Sequence, residues 1–196
     1  YISERARAHV VLKLELFQKT GSFKVRGVIN TLRQLTDDER ARGVIAMSAG
    51  IHAQGVAFHA ARLGIRAVIV MPKGTPNNKV RSTQVLGAEV VLHGDALADA
   101  AAHAHALGER DGLVFIHPYD DPLVVSGQGT VGLEMLESGA SLDCLVVPVG
   151  GGGLISGVAV AIKQQRPEVR IIGVQTESVP ALARSFAAGV LQGVPP

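Results

Sequence analysis

Short apolar segments alternate along the chain with segments whose apolar residues recur at helical spacing. The apolar, β-branched segments predict strands at residues 10–16, 43–48, 66–71, 88–94, 113–118, 144–149 and 170–176. Helical spacing predicts helices at residues 22–35, 52–64, 77–87, 97–107 and 129–139, and another after residue 153. Strands that alternate with helices are typical of βαβ units, so we expect an α/β fold with parallel sheets and helices on both faces.

Composition and charge narrow the classes of function. Hydrophobic residues make up 47% of the 196 residues and charged residues 18%, which is ordinary for a soluble globular protein. The net charge is +2 and the basic residues are scattered, so nothing predicts nucleic-acid binding. We find no apolar run long enough to cross a membrane, no signal-peptide pattern and a single cysteine, Cys144. We therefore expect a soluble cytoplasmic protein with neither a nucleic-acid nor a membrane partner.

A lysine at a predicted helix start is the first candidate for chemistry. In the segment LFQKTGSFKVRG, Ser22 is typical of a helix cap, and Lys24 follows in the first turn. The helix dipole disfavours a cation there by about 0.3–1 kcal/mol, which favours the neutral amine. Because a neutral amine attacks carbonyl carbon, the pattern predicts that Lys24 reacts with a carbonyl compound.

Four consecutive glycines, Gly150 to Gly153, join a predicted strand to a predicted helix. Without side chains, their backbone N–H groups can surround a phosphate at the helix N-terminus. A tight turn would also use glycine, but one or two would suffice. A second pattern, GQGTVG at residues 127–132, matches a dinucleotide-binding motif. No acidic residue ends the next predicted strand, so we do not expect it to bind a dinucleotide.

A second strand-to-helix joint, SAGIHAQGVA, begins at Ser48. Its hydroxyl, its glycine and the free helix N–H groups could hold a carboxylate, or Ser48 could simply cap the helix; composition leaves both open. The histidines form no metal-binding pattern, and we expect no metal role for His52, His59, His93, His103, His105 and His117.

An amine lysine, a phosphate loop and a carboxylate site together fit an aldehyde cofactor and an amino acid substrate, as in pyridoxal 5'-phosphate chemistry. The chain closely resembles the serine/threonine dehydratases, which are fold type II pyridoxal-phosphate enzymes, in the segments KLELFQKTGSFKVRG, SAGIHAQGVA, HPYDDPLVVSGQGTVGLE and VPVGGGGLISGVA. The resemblance implies two open, twisted parallel-sheet α/β domains of the tryptophan synthase beta type. The smaller would span residues 46–123 and the larger, cofactor-binding domain residues 1–45 and 124–196, with further parts outside this sequence.

The resemblance also implies residue roles. Lys24 would carry the cofactor and take the substrate's Cα proton, and Phe23 would lie beside the cofactor ring. The loop that binds the cofactor phosphate would consist of Gly150, Gly151, Gly152, Gly153 and Leu154. The loop that holds the substrate carboxylate would consist of Ser48, Ala49, Gly50 and His52. The implied enzyme is a homo-oligomer, a dimer or a tetramer, that converts L-threonine or L-serine to a 2-oxo acid and ammonia.

Two positions, Ile51 and Gln175, differ from the family pattern, and Ala49 separates the chain from the serine racemases of the family. Ile51 stands where the family has an asparagine that contacts the cofactor's ring hydroxyl. Ala49 stands where serine racemases of the family have a serine that donates a proton to the substrate, so we expect dehydration to exceed racemisation. Gln175 replaces the acid of a divalent-cation site, so we expect no metal there. Two alternatives stay open: β-replacement of the cysteine synthase type, and a truncated or decayed homologue that binds cofactor weakly without catalysis.

Overall fold

The strands form two separate parallel sheets in the computed structural model, which describes residues 1–193. The first has four strands in the order β3-β2-β1-β4 and the second pairs β5 with β6. The strands are β1 (Val44–Met47), β2 (Ala67–Met71), β3 (Glu89–Leu92), β4 (Val114–Phe115), β5 (Cys144–Pro148) and β6 (Arg170–Val174). Every pairing is parallel, which confirms the predicted α/β class.

Nine helices connect and cover these strands within residues 1–193. They are α1 (Ile2–Ala6), α2 (Lys24–Arg33), α3 (Asp37–Arg42), α4 (Ile51–Leu63), α5 (Asn77–Val85), α6 (Leu97–Asp111), α7 (Pro122–Glu137), α8 (Gly153–Gln165) and α9 (Ala181–Ala188). Helix α7 begins ahead of the predicted residue 129, because the Asp121 side chain accepts hydrogen bonds from the N–H groups of Leu123 and Val124 and Pro122 occupies the first turn. Helices α1, α3 and α9 were not predicted.

Helices cover both faces of the four-stranded sheet. Alternate residues of β1 point to opposite sides: Ala46 packs with Val56 of α4, whereas Ile45 packs with Ala104 of α6. Val28 of α2 joins the α4 side, so the start of α2 lies against α4 and this sheet. The solidly apolar strands follow from burial on both faces.

The two-stranded sheet is covered on one face only. Leu145 and Val147 of β5 pack against α7 and α8 through Val158 and other apolar residues. On the opposite face Val146 is 65% exposed, and Val174 of β6 is exposed as well. This half of the molecule therefore presents an apolar sheet face to solvent.

Glycines bring α2, α7 and α8 into backbone contact. A Cβ placed on Gly127 would lie 2.5 Å from the Cα of Gly27, and one on Gly157 would lie 2.2 Å from the carbonyl oxygen of Val125. A Cβ on Gly129 would lie 3.0 Å from the carbonyl oxygen of Gly157. The GQGTVG pattern thus lies inside helix α7, not at a strand-to-helix joint, and its glycines permit helix packing.

One predicted strand is wrong, and another is much shorter than predicted. Residues 10–16 pair with neither sheet, and Glu15–Phe17 form a 3-10 turn instead. The apolar side chains of this segment, including Leu12 and Leu16, stay exposed because no strand or helix covers them. The strand predicted at residues 113–118 is reduced to β4, and beyond it the carbonyl oxygen of Pro118 accepts a hydrogen bond from Lys24 of α2.

The division into domains at residues 46 and 123 stays a prediction, and residues 194–196 of the predicted larger domain lie outside the described residues. Across the part of the chain that the structure describes, no helix has the length and apolarity to span a bilayer.

Candidate functional site

Lys24 is the first residue of α2, and its amine is partly buried. Ser22, in an extended conformation, accepts the Lys24 backbone N–H on Oγ at 3.1 Å, as a helix cap does. The Lys24 Nζ donates to the carbonyl oxygen of Pro118 at 2.5 Å and lies 5.3 Å from the centre of the Phe23 ring. Burial lowers the pKa of the Lys24 amine. The cause is desolvation, not the helix dipole that the residue pattern indicates.

Two different requirements explain three of the four glycines in the loop after β5. Gly152 has a φ of +92°, a conformation that favours glycine, and a Cβ on Gly150 would meet nothing within 4 Å. Gly151 and Gly153 instead lie against Tyr119, where a Cβ would approach within 2.3 and 2.7 Å. Part of the loop is therefore covered by protein, because two of its glycines lie against an aromatic residue.

A cavity of about 420 Å³ joins Lys24 to the glycine loop. It is lined by Phe23, Lys24, Tyr119, Pro148, Val149, Gly150, Gly151, Gly152, Gly153, Leu154, Val174 and Thr176. It contains the predicted amine and every residue predicted for the phosphate loop. Gln175 lies beside the loop, where its Nε2 donates to the Gly150 carbonyl oxygen at 3.4 Å.

The predicted carboxylate loop lies outside the lining of this cavity. Ser48 Oγ accepts the N–H of Gly50 at 3.1 Å, and no side chain caps the start of α4. The first N–H groups of α4 are therefore uncapped. Ile51 is 45% exposed, so it does not pack into the core.

His52 lies deeper, and it connects this loop to the Lys24 side of the site. Its ring is 3% exposed, and Nε2 lies 3.0 Å from the carbonyl oxygen of Ile116. Because a carbonyl only accepts, Nε2 carries the hydrogen and Nδ1 is unprotonated; within residues 1–193 Nδ1 has no hydrogen-bond partner. Burial lowers the pKa of His52 to about 4, so the ring is neutral at physiological pH.

Arg26, two residues after Lys24, holds three parts of the chain together. Its guanidinium donates to both carboxylate oxygens of Glu15, at 2.7 and 2.9 Å, and to those of Glu134, at 2.6 and 2.8 Å. Lys13 donates to Glu134 as well, at 2.5 Å. The hydrogen bonds to Glu134 and Glu15 raise the pKa of Arg26, and those from Arg26 and Lys13 lower the pKa of Glu134 to about 2. The network fixes the start of α2 against α7 and the N-terminal segment.

The residues present fit pyridoxal phosphate. A desolvated amine suits an aldehyde, and a glycine loop at the start of α8, which no side chain caps, suits a phosphate, with both in one cavity. Among residues 1–193, no group of three or more His, Cys, Asp or Glu side chains is placed to hold a metal ion.

Sequence reasoning missed Pro118 and Tyr119. Both belong to the HPYDDP segment, which carried part of the resemblance without a role. Their positions depend on contacts with Lys24 and Gly151, which are distant along the chain. No local pattern could have identified them.

Comparisons with known proteins show that the chain is similar to enzymes that use pyridoxal phosphate. The family described as "Pyridoxal-phosphate dependent enzyme" matches residues 1–196. The chain is 53% identical over 189 residues to the catabolic L-threonine dehydratase TdcB of Escherichia coli, a match that covers 96% of this chain and 57% of that protein. Threonine deaminase isoform 2 of Solanum lycopersicum superposes with a TM-score of 0.94 at 43% identity, over 97% of this chain and 52% of that one. Maize serine racemase superposes with a TM-score of 0.90 at 39% identity, over 93% and 56%. The chain thus spans little more than half the length of these relatives.

Proposed function

The chain belongs to the family of pyridoxal-phosphate dependent enzymes, and on that premise we propose that it carries the cofactor site of an L-threonine or L-serine dehydratase, which releases a 2-oxo acid and ammonia. One observation carries the proposal: the desolvated amine of Lys24 shares a cavity with the glycine loop. The similarity to the Escherichia coli L-threonine dehydratase and the Solanum lycopersicum threonine deaminase supports the choice of reaction.

Lys24 holds the cofactor and moves the proton in this proposal. Its lowered pKa leaves more of the amine neutral, which is the form that joins an aldehyde and later accepts a proton from the substrate Cα. The bound cofactor supplies a conjugated ring that accepts the electrons of the broken Cα–H bond. The Cβ hydroxyl would leave with a proton as water, and hydrolysis of the released enamine by one water would give ammonia and 2-oxobutanoate from threonine or pyruvate from serine.

The remaining residues bind and orient. The N–H groups of Gly150 to Gly153 and Leu154 would hold the phosphate, and Phe23, which lines the same cavity, would lie beside the cofactor ring. The uncapped start of α4, with Ser48, Ala49, Gly50 and the His52 backbone, binds the substrate carboxylate. Ile51 would stand where the family asparagine contacts the cofactor's ring oxygen. The His52 ring stays neutral and holds the Ile116 carbonyl, close to the Pro118 carbonyl that Lys24 contacts.

A serine racemase is the competing function, because maize serine racemase is among the similar structures. Racemisation needs an acid that returns a proton to the opposite face of Cα. Ala49, in the loop that we assign to the substrate, has no proton to give. The residue favours dehydration.

The test is cofactor labelling followed by assay. We expect the purified chain, mixed with pyridoxal phosphate, to absorb visible light, and borohydride followed by peptide mapping to place the pyridoxyl group on Lys24. Lys24→Ala should abolish both label and ammonia release, whereas Lys19→Ala, an exposed lysine of the same segment, should change neither. A label elsewhere, or none, would contradict the proposal.

We also propose a cytoplasmic homo-oligomer, a dimer or a tetramer. The single cysteine suits a reducing compartment, and the resemblance to the dehydratase family supports the oligomer. Size-exclusion chromatography with light scattering measures the molar mass of the assembly, and a monomer at all concentrations would contradict the proposed oligomer.

A further inference from the structure

The ring of Tyr119 rests directly on the glycine loop. A Cβ on Gly151 would lie 2.3, 2.4 and 2.5 Å from three carbons of that ring. A Cβ on Gly153 would lie 2.7 Å from the Tyr119 carbonyl oxygen and 3.0 Å from its Cα. Ring and backbone of one residue thus cover two glycines of the loop.

Tyr119 is itself held from the Lys24 side. The backbone N–H of Tyr119 points to His117 Nδ1 at 3.3 Å, and the two rings meet edge to face with centres 4.7 Å apart. The preceding carbonyl, that of Pro118, accepts the Lys24 amine. Within the described residues the Tyr119 hydroxyl makes no hydrogen bond to the protein, so the ring, not the hydroxyl, makes the contact.

Four consecutive glycines do not by themselves favour a single backbone conformation. Glycine samples more backbone conformations than any other residue, and the N–H groups surround a phosphate in few of them. Gly150 is weakly constrained: Gln175 Nε2 donates to its carbonyl oxygen at 3.4 Å, and a Cβ there would meet nothing within 4 Å. Tyr119 is the aromatic residue that presses on the loop from the cavity side.

We propose that Tyr119 is a positioning residue that preorganises the glycine loop for the phosphate group of the cofactor. The inference rests on the proposed function and deepens it, because it assigns phosphate affinity in part to a residue that need not touch the phosphate. A preorganised loop loses less conformational freedom when the anion binds, so affinity rises.

The first experiment compares two ligands that differ only in the phosphate. Dissociation constants of pyridoxal phosphate and of pyridoxal are measured by absorbance for the wild type, Tyr119→Ala and Tyr119→Phe. In Tyr119→Ala we expect affinity for pyridoxal phosphate to fall about tenfold and affinity for pyridoxal to change little. Tyr119→Phe keeps the ring and should match the wild type for both ligands. Equal losses for both ligands, or no loss for either, would overturn the inference.

The second experiment needs no cofactor. Gly151→Ala should lower the melting temperature of the wild type, because its Cβ overlaps the Tyr119 ring, and should lower it much less in Tyr119→Ala. Gly152→Ala is the matched control: its cost comes from a φ of +92° and should persist in both backgrounds. If Gly151→Ala costs the same in both, Tyr119 does not hold the loop.

The two proposals fail in different ways. A wild-type chain that binds neither pyridoxal phosphate nor pyridoxal contradicts the proposed function and this inference with it. A wild type that binds the cofactor through Lys24, with a Tyr119→Ala variant of equal affinity, contradicts this inference alone.

Discussion

The guanidinium of Arg26 donates two parallel hydrogen bonds to the carboxylate of Glu134, at 2.6 and 2.8 Å, one half-turn along α2 from Lys24. Parallel bonds of this kind fix orientation as well as distance. The pair therefore ties the helix that carries Lys24 to α7, and Glu15 adds the N-terminal segment.

Removing Arg26 should destabilise the fold. We expect Arg26→Ala to lower the free energy of unfolding by about 2 kcal/mol, less than for a fully buried network, because Glu134 is 42% exposed. Urea unfolding measures the change. Arg33→Ala, at the exposed end of the same helix, is the control and should have a much smaller effect.

The same network should give acid sensitivity of a defined sign. Hydrogen bonds from Arg26 and Lys13 lower the pKa of Glu134 from 4.5 to about 2 in the folded chain. Because the folded pKa lies below the unfolded one, the carboxylate stabilises the fold fully above pH 4.5, and this contribution is lost as the pH falls towards 2. Glu134→Gln should therefore be less stable than the wild type at neutral pH, and the gap should narrow across that window in unfolding curves. A gap that stays constant would contradict the assignment.

The contact between α2 and α7 should tolerate no side chain at Gly127. A methyl group there would lie 2.5 Å from the Cα of Gly27 and 2.7 Å from the carbonyl oxygen of Arg26, and neither backbone atom can rotate away. We expect Gly127→Ala to cost about 1–3 kcal/mol or more of stability in denaturant unfolding. Gly74→Ala, at a position where a Cβ would meet nothing, should cost little by comparison.

Dehydration should exceed racemisation. Ala49 has no proton to return to Cα, so the chain should convert L-serine to pyruvate much faster than it converts L-serine to D-serine. Chiral chromatography measures D-serine, and a pyruvate assay measures the other product. Ala49→Ser introduces a hydroxyl and should raise the share of D-serine. D-serine formed by the wild type at a rate close to that of pyruvate would contradict the assignment.

Ile51→Asn should strengthen cofactor binding or turnover. An asparagine amide can donate a hydrogen bond to the cofactor's ring oxygen, and a hydrogen bond to a charged group contributes about 1.5–3 kcal/mol, or roughly ten- to hundredfold. Because Ile51 is exposed at the start of α4, the change should not disturb the core. Cofactor titration and ammonia release report the effect, and Ile51→Val is the control. An unchanged or weaker Ile51→Asn variant would mean that the site is built around isoleucine.

Patterning predicted the buried strands well and the exposed segments poorly. Strands β1 and β2 are apolar at every position because helices cover both faces, and that signal is local. Residues 10–16 carry a similar apolar signal, yet Lys13 and Glu15 turn to the Arg26 network and no strand lies beside them. Sequence alone does not report which neighbour is available.

The candidate site divides in the same way. Lys24 and the glycine loop stand out because their chemistry is visible in residue type and spacing, and the cavity brings them together. The contacts that hold them are different: Pro118 reaches Lys24, and Tyr119 reaches Gly151, only after the chain has folded. Whether Ser48 and His52 meet a substrate stays a prediction.

The uneven cover of the two sheets implies uneven local opening. A two-stranded sheet with one bare face has fewer contacts to lose than a four-stranded sheet packed on both sides, so its backbone N–H groups should exchange with deuterated water sooner. The glycine loop follows β5, which belongs to the two-stranded sheet and should exchange faster. Helix α2 also packs against the four-stranded sheet, which should exchange more slowly. The amine and the phosphate loop thus belong to units of different rigidity, and a ligand that bridges them would slow exchange in β5 and β6 most.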